Sequence, residues 1–267
     1  MSTHKIFHVD AFTTTLFRGN PAAVVPIEDR WPDDAVLQGI AAENNLSETA
    51  FFARSQDGAD FDVRWFTPTM EVDLCGHATL ATAHVLFRHM GFGGDFVRFA
   101  TRESGVVKVS RDGERLALDL PAYGREPVDV TNTHIRALGR EPIEAYRSKN
   151  NLMCVFESKK SVHDVDPDFD LLASVEDAGV IVTAPGAGHD FVCRFFAPNY
   201  GVNEDPATGS AQCSLVPYWA EKFGRKELTS HQVSKRGGRM WCRLEGDRVH
   251  VSGHAITYME GTINLPE

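Results

Sequence analysis

This sequence is short of several things, and each shortage excludes a class of function. No G-x-G-x-x-G follows a strand-like run and no Walker loop is present, so nothing supports a nucleotide cofactor. Among eleven histidines, no H-x-x-x-H or H-E-x-x-H puts two ligands on one helix face, so no metal is expected. There are only five cysteines, Cys75, Cys154, Cys193, Cys213 and Cys242. Their odd number, scattered spacing and lack of a C-x-x-C read as reduced thiols of a cytoplasmic protein, not as a disulfide framework. No apolar run is long enough to span a bilayer, and the start lacks the apolar core of a signal peptide. Positive charge is in deficit: 27 Lys and Arg against 37 Asp and Glu leave a net charge of −10. A nucleic-acid partner is therefore not expected, whereas a small anionic substrate is still allowed at a local site.

What the chain does have is an internal repeat. Arg64-Trp65-Phe66-Thr67-Pro68 returns as Arg194-Phe195-Phe196-Ala197-Pro198, an offset of 130. After a three-residue insertion the offset is 133, matching Gly76 with Gly209, Gly91 with Gly224, Gly105 with Gly238 and Gly113 with Gly246. Such a period is too long for a solenoid. It predicts two similar domains, 1–125 and 126–267, facing each other across a ligand cleft. Each half reads as strands, a polar loop, a small-residue helix closed by Gly, and a hairpin. The fold class expected is α+β, with each domain a mainly antiparallel curved sheet wrapped around one central helix. The helices are placed at Gly76–Met90 and at about Gly209–Phe223. Pro121–Pro127 and Ser158–Asp168 read as linkers, and Asp112-Gly113 as a type I′ turn.

Two segments occupy equivalent places at the starts of the central helices: Asp73 to Thr79 and Asn203 to Ser210. A helix N-terminus carries unpaired N–H groups and about half a positive charge, which suits a carboxylate. Gly76 and Gly209 would let that anion approach the backbone. An enzyme that removes a proton beside a carboxylate needs such stabilisation. Glu48, at the head of the apolar run Thr49-Ala50-Phe51-Phe52, is the candidate base, with a pKa expected to be raised by apolar surroundings. Taken alone, a solvated Glu at a strand start explains it as well. His77 and Asp205 are further candidates, against the plainer readings of a packed core histidine and a helix cap. Cys75 could be a thiolate at a helix start, or an inert buried thiol.

Five stretches, VDAF (9–12), GNPAAVV (19–25), LSETAFF (46–52), RWFTPTMEVDLCGHATLATAHVL (64–86) and NEDPATGSAQCSLVPYW (203–219), resemble the PhzF-like family in order and spacing. This is the phenazine-biosynthesis isomerase group, with the diaminopimelate-epimerase fold. The resemblance implies a pseudo-symmetric, cofactor-free homodimer acting on a small carboxylic acid. It puts the family's proton-shuttling glutamate on Glu48 and its supporting His and Asp on His77 and Asp205. The substrate contacts fall on Gly76, Gly209 and Ser210, with Ser47 beside the base. The related epimerases use two cysteines. Cys75 matches the first position, but Thr208 stands at the second, which disfavours a two-thiol racemase. The reaction expected is isomerisation by a single Glu acid/base. The alternatives are an amino-acid racemase or epimerase using Glu48 or Cys75, and a carboxylate-binding protein without catalysis.

Overall fold

A computed structural model describes residues 2–265 apart from Asp29 and Asp57. The chain divides into two compact units, Met1–Leu120 with Val251–Glu267, and Pro121–His250.

The first unit opens with β1 (Ser2–Ala11) and β2 (Asn20–Pro26), an antiparallel pair. Next come helix α1 (Asp34–Asn44) and β3 (Glu48–Arg54), which is parallel to β2. Parallel neighbours need a crossover, and α1 supplies it. Strand β4 (Phe61–Phe66) runs antiparallel to β3 and takes the two-residue β5 (Glu71–Val72) on its far end. Helix α2 (Gly76–Arg88) is the second crossover, leading to β6 (Phe96–Ala100), again parallel to β4. The hairpin of β7 (Val106–Asp112) and β8 (Arg115–Pro121) follows.

The second unit repeats this plan. It contains β9 (Glu126–Pro127), helix α3 (Asn132–Leu138), β10 (Glu144–Ser148) and β11 (Asn151–Val155). Short helices α4 (Lys159–His163) and α5 (Phe169–Ala173) cross to β12 (Gly179–Pro185), parallel to β11. Strand β13 (Phe191–Ala197) pairs with β14 (Val202–Asp205) as β4 pairs with β5. Helix α6 (Gln212–Phe223) crosses to β15 (Glu227–Gln232), parallel to β13, and β16 (Gly238–Glu245) and β17 (Arg248–Gly253) complete the pattern. The repeat seen in the glycines is thus a repeat of connections: in each unit two helical crossovers join parallel strands.

The last strand, β18 (Ala255–Leu265), pairs with β1 along its whole length, from Ala11↔Ala255 to Ser2↔Leu265. That pairing is why Val251–Glu267 belongs to the first unit, whereas the sequence reading gave residues 126–267 to the second.

Two cores hold the first unit. Ala23, Val25, Leu37, Ala41, Phe51 and Phe66 pack beneath α1. Side chains alternate along a strand, so Ala22 and Val24, also fully buried, face the other way. Helix α2 lies against β1, β2 and β3, and eleven of its residues are buried, which its run of Ala and Thr permits. Thr79 and Thr82 satisfy their hydroxyls on the carbonyls of Cys75 (2.5 Å) and Ala78 (2.8 Å). In the second unit Leu138, Leu152, Cys154, Val180 and Phe196 form the core under α3 to α5.

Some local expectations need correction. The stretch 158–168 is no linker: Ser158 caps α4 and Asp168 caps α5. The turn after β7 is Gly113-Glu114, between the paired Asp112 and Arg115. Only its first residue has positive φ (Gly113, 62°), as a type II′ turn requires, not type I′. Among the described residues no helix is long and apolar enough to cross a membrane.

Candidate functional site

The first unit gathers its polar candidates at the start of α2. Helix α1 ends on Asn45 in the left-handed conformation (φ 48°), which turns the chain through Leu46 and Ser47 into β3. Asn44 donates from Nδ2 to Thr49 Oγ1 at 3.1 Å and ties helix end to strand start. Glu48 is the first residue of β3, opposite Ala22 of β2. Its side chain is only 15% exposed, and Oε2 lies 3.2 Å from His77 Nε2. The reading of Glu48 as a solvated strand-end residue does not hold.

His77 is the second residue of α2 and is buried. Its Nδ1 sits 3.0 Å from Asn20 Nδ2 and 3.4 Å from Cys75 Sγ. Burial pushes the His77 pKa down to about 3, against a smaller upward pull from the Pro21 backbone. The imidazole is therefore neutral near pH 7. Asn20 Nδ2 and Cys75 Sγ stand on the Nδ1 side of the ring and the Glu48 carboxylate on the Nε2 side, where no aligned hydrogen bond joins carboxylate and imidazole.

Sequence reasoning missed Asn20. It is fully buried at the head of β2, and it is held there by Gly19. Gly19 has φ +63°, and a Cβ at this position would come within 2.0 Å of the Ala11 carbonyl oxygen, so only glycine fits. The signal was present as Gly19-Asn20-Pro21, but no spacing rule links Asn20 to a histidine 57 residues later.

Cys75 takes the N-cap position of α2 without capping it, and the first turn holds no acidic residue. The N–H groups of that turn lack intrahelical acceptors by geometry, so they form an anion-binding end. Glu48, Cys75 and His77 each offer a donor atom within 4.8 Å of the others, a grouping able to hold a metal ion. The other four cysteines are buried, and burial raises the pKa of Cys154, Cys193 and Cys213 to about 12, so they are inert thiols.

In the second unit Asp205 ends β14 and is buried. Helix α6 begins at Gln212, with Ala211 at its N-cap, so Asp205 is not that helix's cap. Gly209, Ser210 and Ala211 instead form tight turns, with Gln212 N–H on the Gly209 carbonyl and Cys213 N–H on the Ser210 carbonyl, each at 3.1 Å. Thr208 donates its hydroxyl to Asp205 Oδ2 in a short hydrogen bond. Gln232, fully buried on β15, holds this loop from behind. Its Oε1 accepts from Thr208 N–H at 2.8 Å, and its Nε2 donates to the Asp205 carbonyl at 2.6 Å and to Thr208 Oγ1 at 3.1 Å. Gln232 was also missed, lying far downstream in an unremarkable polar strand.

A pair of arginines sets both loops. Arg64 on β4 makes a two-pronged bond to Glu71 on β5, at 2.8 and 2.7 Å, and Arg194 on β13 does the same to Glu204 on β14, at 2.8 and 3.0 Å. Arg64 also meets Asp34 at the start of α1 at 2.8 Å. Each fork fixes the strand return that leads into a central helix.

Residues 9–261 match the family model for phenazine biosynthesis-like proteins. An uncharacterized isomerase of Pseudomonas aeruginosa is 50% identical over 260 residues, covering 97% of this chain and 98% of that protein. A crystal structure of a phenazine biosynthesis protein of the PhzF family from Enterococcus faecalis superposes with a TM-score of 0.93. It has 40% identity and covers 99% and 100% of the two chains. At 12% identity, a hydroxyproline epimerase from Agrobacterium vitis shares the fold, with a TM-score of 0.63 over 98% of this chain and 92% of that one.

Proposed function

Because the chain belongs to the phenazine biosynthesis-like (PhzC/PhzF) family, we propose that it is an isomerase moving a proton within a small unsaturated or amino carboxylic acid, with Glu48 as acid and base. The observation that carries this reading is the Glu48–His77 pair: a half-buried carboxylate 3.2 Å from a buried, neutral imidazole. A neutral imidazole stands beside the carboxylate without forming a full ion pair. Being uncharged, it leaves the carboxylate basic enough to take a proton from carbon. The substrate carboxylate docks at the N-terminus of α2, where the amides of the first turn stabilise charge that spreads onto it as the proton leaves. Glu48 then returns the proton at another carbon of the conjugated system, so the reaction is redox-neutral and consumes no co-substrate.

Ser47 and Gly76 are assigned to substrate contact by their positions beside the base and at the helix start. Asp205, Gly209 and Ser210 are assigned by occupying, in the second repeat, the positions equivalent to those around Gly76. The homodimer implied by the family is part of the same proposal, and light scattering on the purified protein tests it.

Glu48→Gln keeps the shape of the side chain and removes the base. Turnover should fall about 10²- to 10⁴-fold with the fold intact. The assay screens small carboxylic acids in D₂O, following deuterium incorporation and ultraviolet absorbance. Wild-type-like exchange in Glu48→Gln would take this residue out of the mechanism.

One observation favours a second reading: Cys75 Sγ reaches the same histidine, at 3.4 Å. A racemase would use Glu48 or Cys75 at the α-carbon, incorporate α-deuterium and interconvert enantiomers. An allylic isomerase shifts a double bond instead. The position of the second epimerase thiol holds Thr208, whose hydroxyl is committed to Asp205.

A further inference from the structure

We propose that Glu48, Cys75 and His77 form a binding site for a thiophilic divalent cation of the zinc type. The inference stands apart from the isomerase reading, because cation binding is read without substrate. It rests on three different donors meeting at one place. Cys75 Sγ is 3.4 Å from His77 Nδ1, Glu48 Oε2 is 3.2 Å from His77 Nε2, and one donor atom of each residue lies within 4.8 Å of the others. Bonds of roughly 2.0–2.3 Å in a tetrahedron put donors about 3.3–3.6 Å apart. Whichever ring nitrogen binds, one partner already stands near that spacing. The other closes by about an ångström, a shift within reach of side-chain torsions.

Thiolate, imidazole and carboxylate together select zinc and its neighbours over magnesium or calcium, which prefer all-oxygen shells. Charge also fits. One thiolate and one carboxylate neutralise a divalent cation, so the filled site carries no net charge into a buried setting. The thiol proton leaves to solvent as the cation enters. The Asn20 amide, 3.0 Å from His77 Nδ1, supplies the supporting contact: if the cation takes Nε2, this amide turns over and accepts from Nδ1–H. Three protein ligands leave a fourth position for water. A cation seated there would occupy the proposed base and act as an inhibitor. Histidine-motif spacing does not reveal this site, because its ligands are a Cys-x-His pair and a glutamate 27 residues upstream.

Two other histidine groupings among the described residues, neither of which includes a thiol, give the test its discrimination. His84 and His89 meet at Thr257, with Glu260 beside His89, and His189 lies against His231. The experiment titrates the full-length, reduced, metal-stripped protein with Co²⁺, then displaces it with Zn²⁺. One equivalent should bind, with tetrahedral visible bands and a thiolate-to-cobalt band in the near ultraviolet. Cys75→Ser should abolish the thiolate band and weaken Zn²⁺ binding about 100-fold. Glu48→Gln, a milder change, should keep the band and weaken binding at least about tenfold. No thiolate band in the wild type, a band that survives Cys75→Ser, or unchanged Zn²⁺ affinity in Glu48→Gln would each overturn the proposal. Circular dichroism confirms that both variants fold, and should Cys75→Ser not fold, the Glu48→Gln result decides.

Discussion

Mild acid should destabilise the first unit through a histidine that takes no part in the proposed chemistry. His84 sits in the middle of α2 and donates or accepts at Thr257 Oγ1 through Nε2, 2.9 Å away. Burial, with help from the nearby charges of His89 and Arg88, pushes its pKa down to about 4 from 6.5. In the unfolded chain the same imidazole takes up a proton near its ordinary value. Between those two values the unfolded state binds more protons than the folded one, so stability falls as pH falls. The contribution is fully present above 6.5 and is lost progressively down to about 4, below which nothing further changes. At about pH 5 an unfolded imidazole is almost wholly protonated and the folded one hardly at all, a loss of about 2 kcal/mol relative to about pH 7. Urea unfolding of the wild type and of His84→Gln at the two pH values isolates this term. Glutamine keeps a partner for Thr257 and cannot titrate. The acid-induced loss should be smaller in the variant by about 2 kcal/mol. An equal loss in both proteins would show that His84 is not held neutral by the fold.

Two further predictions concern the loops ahead of the helices. Gln232→Ala strands the Thr208 N–H and the Asp205 carbonyl in a buried setting, at a cost of about 1–3 kcal/mol for each group. Hydrogen exchange at the Thr208 amide should accelerate accordingly, and unchanged protection would contradict the bracing role of Gln232. Arg64→Ala removes the fork to Glu71 and the contact to Asp34, and should lower unfolding stability by about 2–4 kcal/mol in urea melts. Arg64→Lys should recover only part of this, since an ammonium cannot make the paired bond; full recovery would mean that charge alone matters.

Much of the frame was legible because it follows local rules. Helix α2 begins at Gly76 as read, where a polar loop meets a run of small residues, and α3 stops at Gly139, whose φ of 67° the left-handed end demands. Glu48 and His77 were named from pattern and resemblance, and the fold sets them 3.2 Å apart. What escaped reading depends on distant partners. Asn20 means little until β2 lies under α2, and Gln232 means little until β15 backs the loop at Thr208. Helix α6 starts three residues later than the repeat suggested, because Thr208 turns its hydroxyl to Asp205 and the chain spends 209–211 in tight turns. Strand β18 was not recognised at all. Most of its residues from Tyr258 to Asn264 are exposed, so it lacks the apolar alternation by which strands are usually found.

That strand has a consequence for how the protein is made. Ser2–Ala11 waits for a complement that the ribosome delivers only after the second unit, since Ser2 pairs with Leu265 and Ala11 with Ala255. During synthesis the opening unit is a sheet with a vacant margin until the tail emerges, while Pro121–His250 is already complete. Two segments more than two hundred residues apart, Ser2–Ala11 and Ala255–Leu265, thus finish side by side.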